Sequence, residues 1–182
     1  MKILITGVQG FIGKNLQTRI NYIDNLKSLP FKKEDSLEKL DELVDQADFI
    51  FHLAGINRSK DLNEFEKGNS QLTNLLCKSI NRSLNNNNRK LTVVYASSIQ
   101  ASISNDYGES KKNAENHILK LKECHEDLEV YILRLPNIFG KWSKPNYNSV
   151  VATFCHNISR GIPIKIDNPS AKLNLLYIDD LI

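Results

Sequence analysis

The stretch Thr6-Gly7-Val8-Gln9-Gly10-Phe11-Ile12-Gly13 follows an apolar run, residues 2–6, and holds three of the chain's eight glycines. Glycines at this spacing allow a tight turn between a strand and a helix, and they let a pyrophosphate approach the backbone closely. The pyrophosphate then meets the free N–H groups at the helix N-terminus. We therefore predict a dinucleotide site formed by Gly7, Gln9, Gly10, Phe11 and Ile12. A glycine turn without a ligand is the alternative.

Three further apolar runs of strand length follow, at 48–54, 91–96 and 130–135. They do not alternate apolar with polar side chains, which predicts strands buried on both faces, as in a parallel sheet. Two helical faces lie between them, one formed by Leu37, Leu40, Val44 and Ala47 and the other by Leu62, Phe65, Leu72, Leu76 and Ile80. This alternating order predicts an α/β fold with a doubly wound parallel sheet, the Rossmann architecture.

Two segments fit this order less simply. A second strand is expected near residues 28–32, where Pro30 suits only an edge strand or the first residue of a strand. Four consecutive asparagines at 85–88 predict a polar loop before the next strand.

Length and composition narrow the class of protein. A chain of 182 residues with 41% hydrophobic and 25% charged residues is long enough for one globular domain. Its 24 basic residues are interleaved with 21 acidic ones, which argues against a nucleic-acid surface. Three scattered cysteines and an N-terminal apolar run too short for a signal peptide or a membrane span predict a cytoplasmic protein with no metal site.

Polar residues follow the apolar runs at their C-terminal ends. Gly7 follows the first, Gly55 the next and Ser97-Ser98 the third, while Pro136-Asn137 follows the last. Ligands bind at this edge of open parallel sheets, so the motifs are expected to meet at one site. A strand-end serine that caps local backbone is the alternative for Ser97 and Ser98.

Tyr107 and Lys111 are spaced i,i+4 on a helical stripe that continues through Ala114 and Ile118. The stripe faces the sheet, so the lysine charge could favour the phenolate and let Tyr107 act as a proton donor and acceptor. A core tyrosine beside a snorkelling lysine is the alternative.

Two other polar residues interrupt apolar segments. Asn69 lies between Phe65 and Leu72, where it needs a hydrogen-bond partner, and a structural role competes with a catalytic one. His52 has no second ligand at metal spacing, which favours a hydrogen-bonded core histidine.

Together these motifs resemble the extended short-chain dehydrogenase/reductase family, of the NAD-dependent epimerase/dehydratase type. The resemblance spans nearly the whole chain, through Thr6 to Gly13, His52 to Gly55, Asn69 with Thr73 to Leu76, Ser97-Ser98, Tyr107-x-x-x-Lys111 and Arg134-x-x-Asn137-x-x-Gly140. It implies the catalytic residues Ser98, Tyr107 and Lys111. It also implies cofactor contacts by Leu53, Ala54, Gly55, Asn69, Tyr107, Lys111 and Leu135, beside the glycine loop.

A narrower resemblance is to reductases of capsular polysaccharide synthesis, carried by residues 47–58, 97–101, 136–142 and 144–150. It implies NADPH-dependent reduction of a UDP-linked 4-keto-6-deoxy-N-acetylhexosamine on the route to UDP-N-acetyl-L-fucosamine, by a homodimer without a nucleic-acid or membrane partner. The substrate residues would be Ser98, Gln100, Asn137, Asn148, Ser149 and Lys172, although loop asparagines also form turns. Lys172 stands where many relatives carry a phosphate-binding arginine.

Such enzymes carry a C-terminal cupin domain, so the chain is expected to be a fragment. The resemblance implies a dinucleotide-binding Rossmann domain over 1–146 and the start of a substrate-binding lobe over 147–182. Lys32 and Lys33 after the second strand predict a preference for NADP(H), with NAD(H) possible because Glu34 and Asp35 follow. A sugar-nucleotide 4-epimerase or dehydratase and a non-catalytic dinucleotide-binding regulator remain alternatives.

Overall fold

A five-stranded parallel sheet forms the centre of the molecule. The structure, a computed structural model, describes residues 1–87 and 89–182. The strands lie in the order β2-β1-β3-β4-β5. Their bounds are β1 Lys2–Thr6, β2 Lys27–Phe31, β3 Phe49–His52, β4 Leu91–Ser98 and β5 Leu128–Leu135. A separate pair of parallel strands is formed by β6 Asn137–Phe139 and β7 Leu175–Tyr177.

Helices connect the strands and cover both faces of the sheet. They are α1 Phe11–Asn21, α2 Leu37–Gln46, α3 Asn63–Phe65, α4 Leu72–Asn86, α5 Asp106–Cys124, α6 Val150–Ile158 and α7 Ile178–Leu181. A π-helical turn, Glu66–Gln71, joins α3 to α4, and a 3₁₀ turn, Ile99–Ser102, follows β4. Among the residues described, no helix is long and apolar enough to span a bilayer.

Two apolar cores lie on opposite faces of the sheet, as the doubly wound prediction requires. The larger core packs α2, α4 and α5 against one face and includes Leu40, Ile80 and Ile118. The smaller core packs Leu16 and Ile20 of α1 against the other face. Each strand therefore buries side chains on both faces wherever helices cover it.

The two edge strands behave differently from the central ones. β2 lies at one edge with Pro30 opposite Ile5, which confirms the edge position that proline predicted. β5 forms the other edge, and there the prediction of two buried faces is wrong. Val130 packs on the larger core, whereas Tyr131 and Leu133 on the opposite face are exposed.

Helix ends and one loop also depart from the sequence predictions. Leu37 and Leu62 are exposed rather than part of buried stripes, because Leu37 begins α2 and Leu62 precedes α3. Asn85 and Asn86 belong to α4 rather than to a loop, and Asn88 lies outside the described residues.

Candidate active site

A cleft of about 620 Å³ opens at the carboxyl ends of β1, β3, β4 and β5. Its volume is in the range of small-molecule sites, and its position is where open parallel sheets bind ligands. Most of the predicted site residues line it: Gly7, Gln9, Gly10, Phe11, Ile12, Leu53, Gly55, Ser98, Gln100, Tyr107, Lys111, Leu135, Asn137 and Asn148. The structure thus brings together motifs that are up to 141 residues apart, from Gly7 to Asn148.

The glycine loop lies against the loop that follows β3. Gly7 has a φ of +71°, and a Cβ on it would lie 2.6 Å from the Ala54 nitrogen, so only glycine fits. A Cβ on Gly13 would collide with the Gly7 carbonyl oxygen. By contrast, a Cβ on Gly10 would meet only that oxygen, at 3.1 Å, because Gly10 faces the cleft.

Helix α1 begins at Gly10 without a side-chain cap, so its first N–H groups are open to the cleft. The helices α2, α5 and α6 are instead capped by Ser36, Asn105 and Ser149. The uncapped N-terminus of α1 and the bare backbone around it fit the pyrophosphate of a dinucleotide.

Lys111 lies on the buried face of α5 with only 6% of its surface exposed. Its ammonium donates a hydrogen bond to the Ala96 carbonyl oxygen at 2.8 Å and lies 4.8 Å from the centre of the Tyr95 ring. Burial lowers the pKa of Lys111 to about 8, while the Glu115 carboxylate acts in the opposite direction. The charged form of Lys111 is therefore less favoured than that of a lysine in water.

Tyr107 stands one helical turn before Lys111, in the first turn of α5. Its ring is half-buried and meets the edge of Phe65, with 5.7 Å between ring centres. Burial raises the pKa of the Tyr107 phenol, and the Ser98 hydroxyl opposes that shift. The phenol is thus kept protonated while it faces the same cleft as Lys111.

The two serines at the end of β4 have different partners. Ser97 is 4% exposed and donates its hydroxyl to Glu115 Oε1 at 2.5 Å. Ser98 accepts a hydrogen bond from the Gln100 backbone N–H at 3.2 Å, and its hydroxyl lines the cleft beside the Tyr107 phenol, whose pKa it lowers. Ser98 is therefore the hydroxyl that can donate into the cleft.

Asn69 lies beneath the cleft and is not among its lining residues, so its predicted cofactor contact stays a prediction. It is 1% exposed, its Oδ1 accepts from the Ile56 N–H at 2.9 Å, and its Nδ2 donates to the Ile56 carbonyl and to Ser110 Oγ, both at 2.9 Å. Both halves of the amide are occupied inside the protein, which agrees with the structural alternative.

Five other predicted contacts also lie off the cleft lining. Ala54 packs behind Gly7, and Ser149 caps α6 by accepting from the Ala152 N–H. Lys32, Lys33 and Lys172 are exposed and outside the cleft lining. The lysine side chains are long and flexible, so their absence from the lining leaves their ligand contacts as predictions.

Several residues of the cleft were given no site role from the sequence. They are Lys14, Ile56, Asn57, Trp142, Ser143, Lys144 and Tyr147. Arg58 donates to the Tyr147 carbonyl and thereby joins the loop after β3 to the loop after β6. Trp142, two residues after Gly140, has a φ of +68°. The signal available in the sequence was the chain's single tryptophan close to a glycine.

Comparison with known proteins agrees with this geometry. The profile of the NAD dependent epimerase/dehydratase family matches residues 3–182. The chain belongs to that family. Members of the family are nicotinamide-dependent enzymes, and the cleft offers the backbone that such a cofactor requires.

Individual relatives are more specific. The chain is 50% identical, over its whole length, to the Pseudomonas aeruginosa (strain PA103) UDP-2-acetamido-2,6-beta-L-arabino-hexul-4-ose reductase, and it covers 48% of that protein. It is 38% identical to the crystal structure of the Staphylococcus aureus capsular polysaccharide assembling protein CapF, with a TM-score of 0.84, and covers 46% of that chain. The chain thus spans about half the length of these relatives.

A more distant structure shows the fold alone. The Bacillus cereus UDP-glucuronic acid 4-epimerase, solved with UDP-glucuronic acid and NAD, is 18% identical with a TM-score of 0.84, and the chain covers 70% of it. The shared fold therefore extends well beyond the CapF-like proteins.

Proposed function

We propose that the protein is a reductase that uses NADPH to reduce a UDP-linked 4-keto-6-deoxy-N-acetylhexosamine, on the route to UDP-N-acetyl-L-fucosamine. The observation that carries this proposal is that Ser98, Tyr107 and Lys111 line one cleft with the glycine loop. Similarity to a P. aeruginosa UDP-hexulose reductase and to an S. aureus capsular polysaccharide assembling protein supports the coarser part of the proposal, a UDP-sugar reductase.

Ser98, Tyr107 and Lys111 would have different roles in the reduction. A bound nicotinamide dinucleotide supplies the hydride. Ser98 would orient the substrate carbonyl with its hydroxyl, and Tyr107 would donate its phenolic proton to the oxygen as charge develops there. Lys111 would hold the phenol and the nicotinamide ribose and favour the phenolate that remains. Burial of Lys111 strengthens this effect, since charges interact more strongly away from water.

Dinucleotide contacts are proposed for the residues of the cleft that the sequence predicted, from Gly7 to Leu135. We also propose a preference for NADP(H), with NAD(H) accepted, because Lys32 and Lys33 follow β2 and are free to reach a 2′-phosphate. The neighbouring Glu34 is engaged by Gln9, whose Nε2 lies 3.3 Å from Glu34 Oε1. Titration with both cofactors tests this preference, and equal or tighter binding of NAD(H) would contradict it.

The substrate is proposed to lie between Gln100, Asn137 and Asn148, which line the cleft. Contacts by Ser149 and Lys172, which lie off the lining, are proposed as well. We propose that residues 1–146 form the dinucleotide-binding unit and that 147–182 begin the substrate lobe. We further propose a homodimer in the cytoplasm, a compartment that suits the three free cysteines. Sedimentation of the full-length protein tests the dimer.

Tyr107→Phe tests the mechanism in the full-length protein. The variant keeps the ring and its contact with Phe65 but lacks the proposed acid, so turnover of the 4-keto substrate should fall by roughly 10²–10⁴-fold while dinucleotide binding survives. Tyr131→Phe is the matched control, because Tyr131 is an exposed tyrosine of β5 that is not among the residues lining the cleft. A Tyr107→Phe variant within a few-fold of wild-type turnover would overturn the mechanism.

The same assay separates a reductase from the 4-epimerase and dehydratase alternatives. A reductase consumes one NADPH for each sugar converted, whereas those enzymes regain their cofactor in every cycle. Stoichiometric loss of NADPH absorbance is the expected result.

A further inference from the structure

A buried polar cluster lies under the catalytic helix, outside the residues assigned above to catalysis or binding. Glu115 is 4% exposed and stands one helical turn after Lys111 on α5. Its carboxylate accepts from Arg134 Nε at 3.0 Å and Nη2 at 2.6 Å, and from Ser97 Oγ at 2.5 Å. Arg134 reaches it from the edge strand β5.

Helix α5 thus holds the end of β4 at two successive residues. Lys111 donates to the carbonyl of Ala96, and Glu115 accepts from the hydroxyl of Ser97. The next residue along the strand is Ser98, the hydroxyl that faces the cleft. The two contacts fix the position of the backbone that carries Ser98. They also fix the position of Lys111 relative to the end of β4.

The charges around Lys111 come from several elements. Tyr95 of β4 lies under its ammonium, His52 of β3 is buried and neutral, and Tyr107 precedes it on α5. Beside these uncharged groups, the carboxylate of Glu115 on α5 supplies a negative charge. Arg134 of β5 partly neutralises that charge through two hydrogen bonds. Removal of Glu115 should therefore make the electrostatic potential at Lys111 more positive, and removal of Arg134 should make it more negative.

We propose that Glu115 is a positioning residue for Lys111, that its carboxylate keeps the lysine charged, and that Arg134 limits this effect. The consequence for turnover rests on the proposed function. The effect on the charge of Lys111 does not, because it follows from the contacts within the chain alone. Ser97 belongs to the same unit, since its hydroxyl is given to the carboxylate rather than to the cleft.

The direct test is the titration of Lys111 followed by NMR of its ε-carbon in ¹³C-lysine-labelled protein, with Lys111→Met used to assign the signal. Glu115→Gln should move the midpoint to lower pH by roughly 0.5–1, because it removes the anion and leaves Arg134 unpaired. Arg134→Gln should move the midpoint to higher pH, because it leaves the carboxylate unneutralised. The control is Arg82→Gln, which breaks the surface ion pair with Asp45 instead.

A purely structural ion pair predicts a different pattern. Glu115→Gln and Arg134→Gln would then lower the thermal stability by similar amounts. The Lys111 titration midpoint would either equal that of Arg82→Gln in both variants or shift in the same direction in both. Either result would overturn the proposal. Glu115→Asp, which keeps the charge, should retain a midpoint closer to the wild type than Glu115→Gln does, and it replaces Glu115→Gln should that variant not fold.

A second readout links the proposal to the reaction. In the full-length protein, the alkaline limb of the pH profile of kcat/KM should move in the same direction as the NMR midpoint in each variant. If the protein shows no reductase activity at all, the proposed function fails while the NMR titration still decides the role of Glu115. Opposite NMR shifts with an unmoved alkaline limb would overturn the part of the proposal that concerns turnover.

Discussion

At the scale of single residues, His52 shows how a buried imidazole is held in one form. The Thr73 hydroxyl gives its proton to the Asn69 carbonyl at 2.7 Å, so it must accept from His52 Nε2 at 2.8 Å. The other ring nitrogen, Nδ1, then accepts from the Thr6 hydroxyl at 2.7 Å, and Thr6 in turn accepts from the Ala54 N–H. This directional chain fixes the neutral tautomer and ties the first strand to the loop that borders the cleft.

Replacement of His52 by glutamine tests that chain through the pH dependence of stability. Burial lowers the pKa of His52 to about 3, against about 6.5 in the unfolded chain, so the unfolded chain binds the proton more tightly. The contribution of His52 to the free energy of unfolding of the wild type should therefore be fully present above pH 6.5. It should fall by about 1.4 kcal/mol for each pH unit below 6.5, towards pH 3. His52→Gln lacks this slope.

At pH 7 the variant should be less stable than the wild type by about 1–3 kcal/mol, because Thr6 loses its acceptor. The gap should close as the pH falls from 6.5 to 4.5 in urea unfolding experiments. His125→Gln is the control, since His125 lies at the end of α5 with a contact to Asn81. Parallel pH slopes for the wild type and His52→Gln would contradict the neutral, buried histidine.

At the scale of elements, the loop between β1 and α1 combines two demands on glycine. Gly13 is needed for the close packing of α1 on the loop, because a Cβ there meets the backbone of Gly7 and Val8. Gly10 is less restricted within the protein, because its φ of −76° suits any residue and a Cβ would have a single tight contact, 3.1 Å from the Gly7 carbonyl oxygen. The two positions therefore separate folding from ligand binding.

Alanine substitutions at these two glycines test the separation. Gly10→Ala should lower the melting temperature much less than Gly13→Ala and weaken dinucleotide binding by roughly tenfold or more, which is about 1.4 kcal/mol. Gly13→Ala should lower stability by about 1–3 kcal/mol, as overpacking does, and weaken binding as a result. Thermal melts and fluorescence titration with NADPH measure both effects. Unchanged NADPH affinity in Gly10→Ala would exclude this loop as the pyrophosphate site.

The positions of the strands followed from local patterns, whereas the π-helical turn did not. Apolar runs located β1, β3, β4 and β5, and one proline located β2 at an edge. The turn Glu66–Gln71 depends on i→i+5 hydrogen bonds, which leave no mark on apolar spacing. That turn carries Asn69 under the cleft, so the role of Asn69 was decided by tertiary partners in two distant loops.

At the scale of the whole molecule, the proposed boundary between 146 and 147 is crossed by strand pairing. Strand β6, before the boundary, pairs with β7, after it. Ile178 of α7 is fully buried against Gly140, and Ile182 packs on the smaller core with Leu16. The end of the chain is therefore anchored on the dinucleotide-binding unit, although most of residues 159–175 is exposed.

The candidate site was predictable to the extent that its residues end strands or begin a helix. Gly7, Ser98 and Tyr107 do so, and their convergence follows from the parallel order of the sheet. The loop that carries Trp142 and Tyr147 comes to the cleft through long-range contacts, such as the bond from Arg58. A single sequence holds no periodic signal for such contacts.

Ile178→Ala tests whether the end of the chain stabilises the nucleotide-binding unit. The substitution removes a fully buried side chain between α7 and the turn at Gly140, so it should cost roughly 2–5 kcal/mol of the free energy of unfolding. Ile166→Ala is the matched control, because Ile166 is 57% exposed and its loss should change stability by less than about 0.5 kcal/mol. Unfolding in urea, followed by fluorescence of the single tryptophan, compares the two variants.

Trp142 lies close to Gly140 in the chain and so reports on the region where Ile178 packs. One cooperative transition shifted to lower urea is expected for Ile178→Ala. A variant as stable as Ile166→Ala would show instead that residues 147–182 contribute nothing to the first unit.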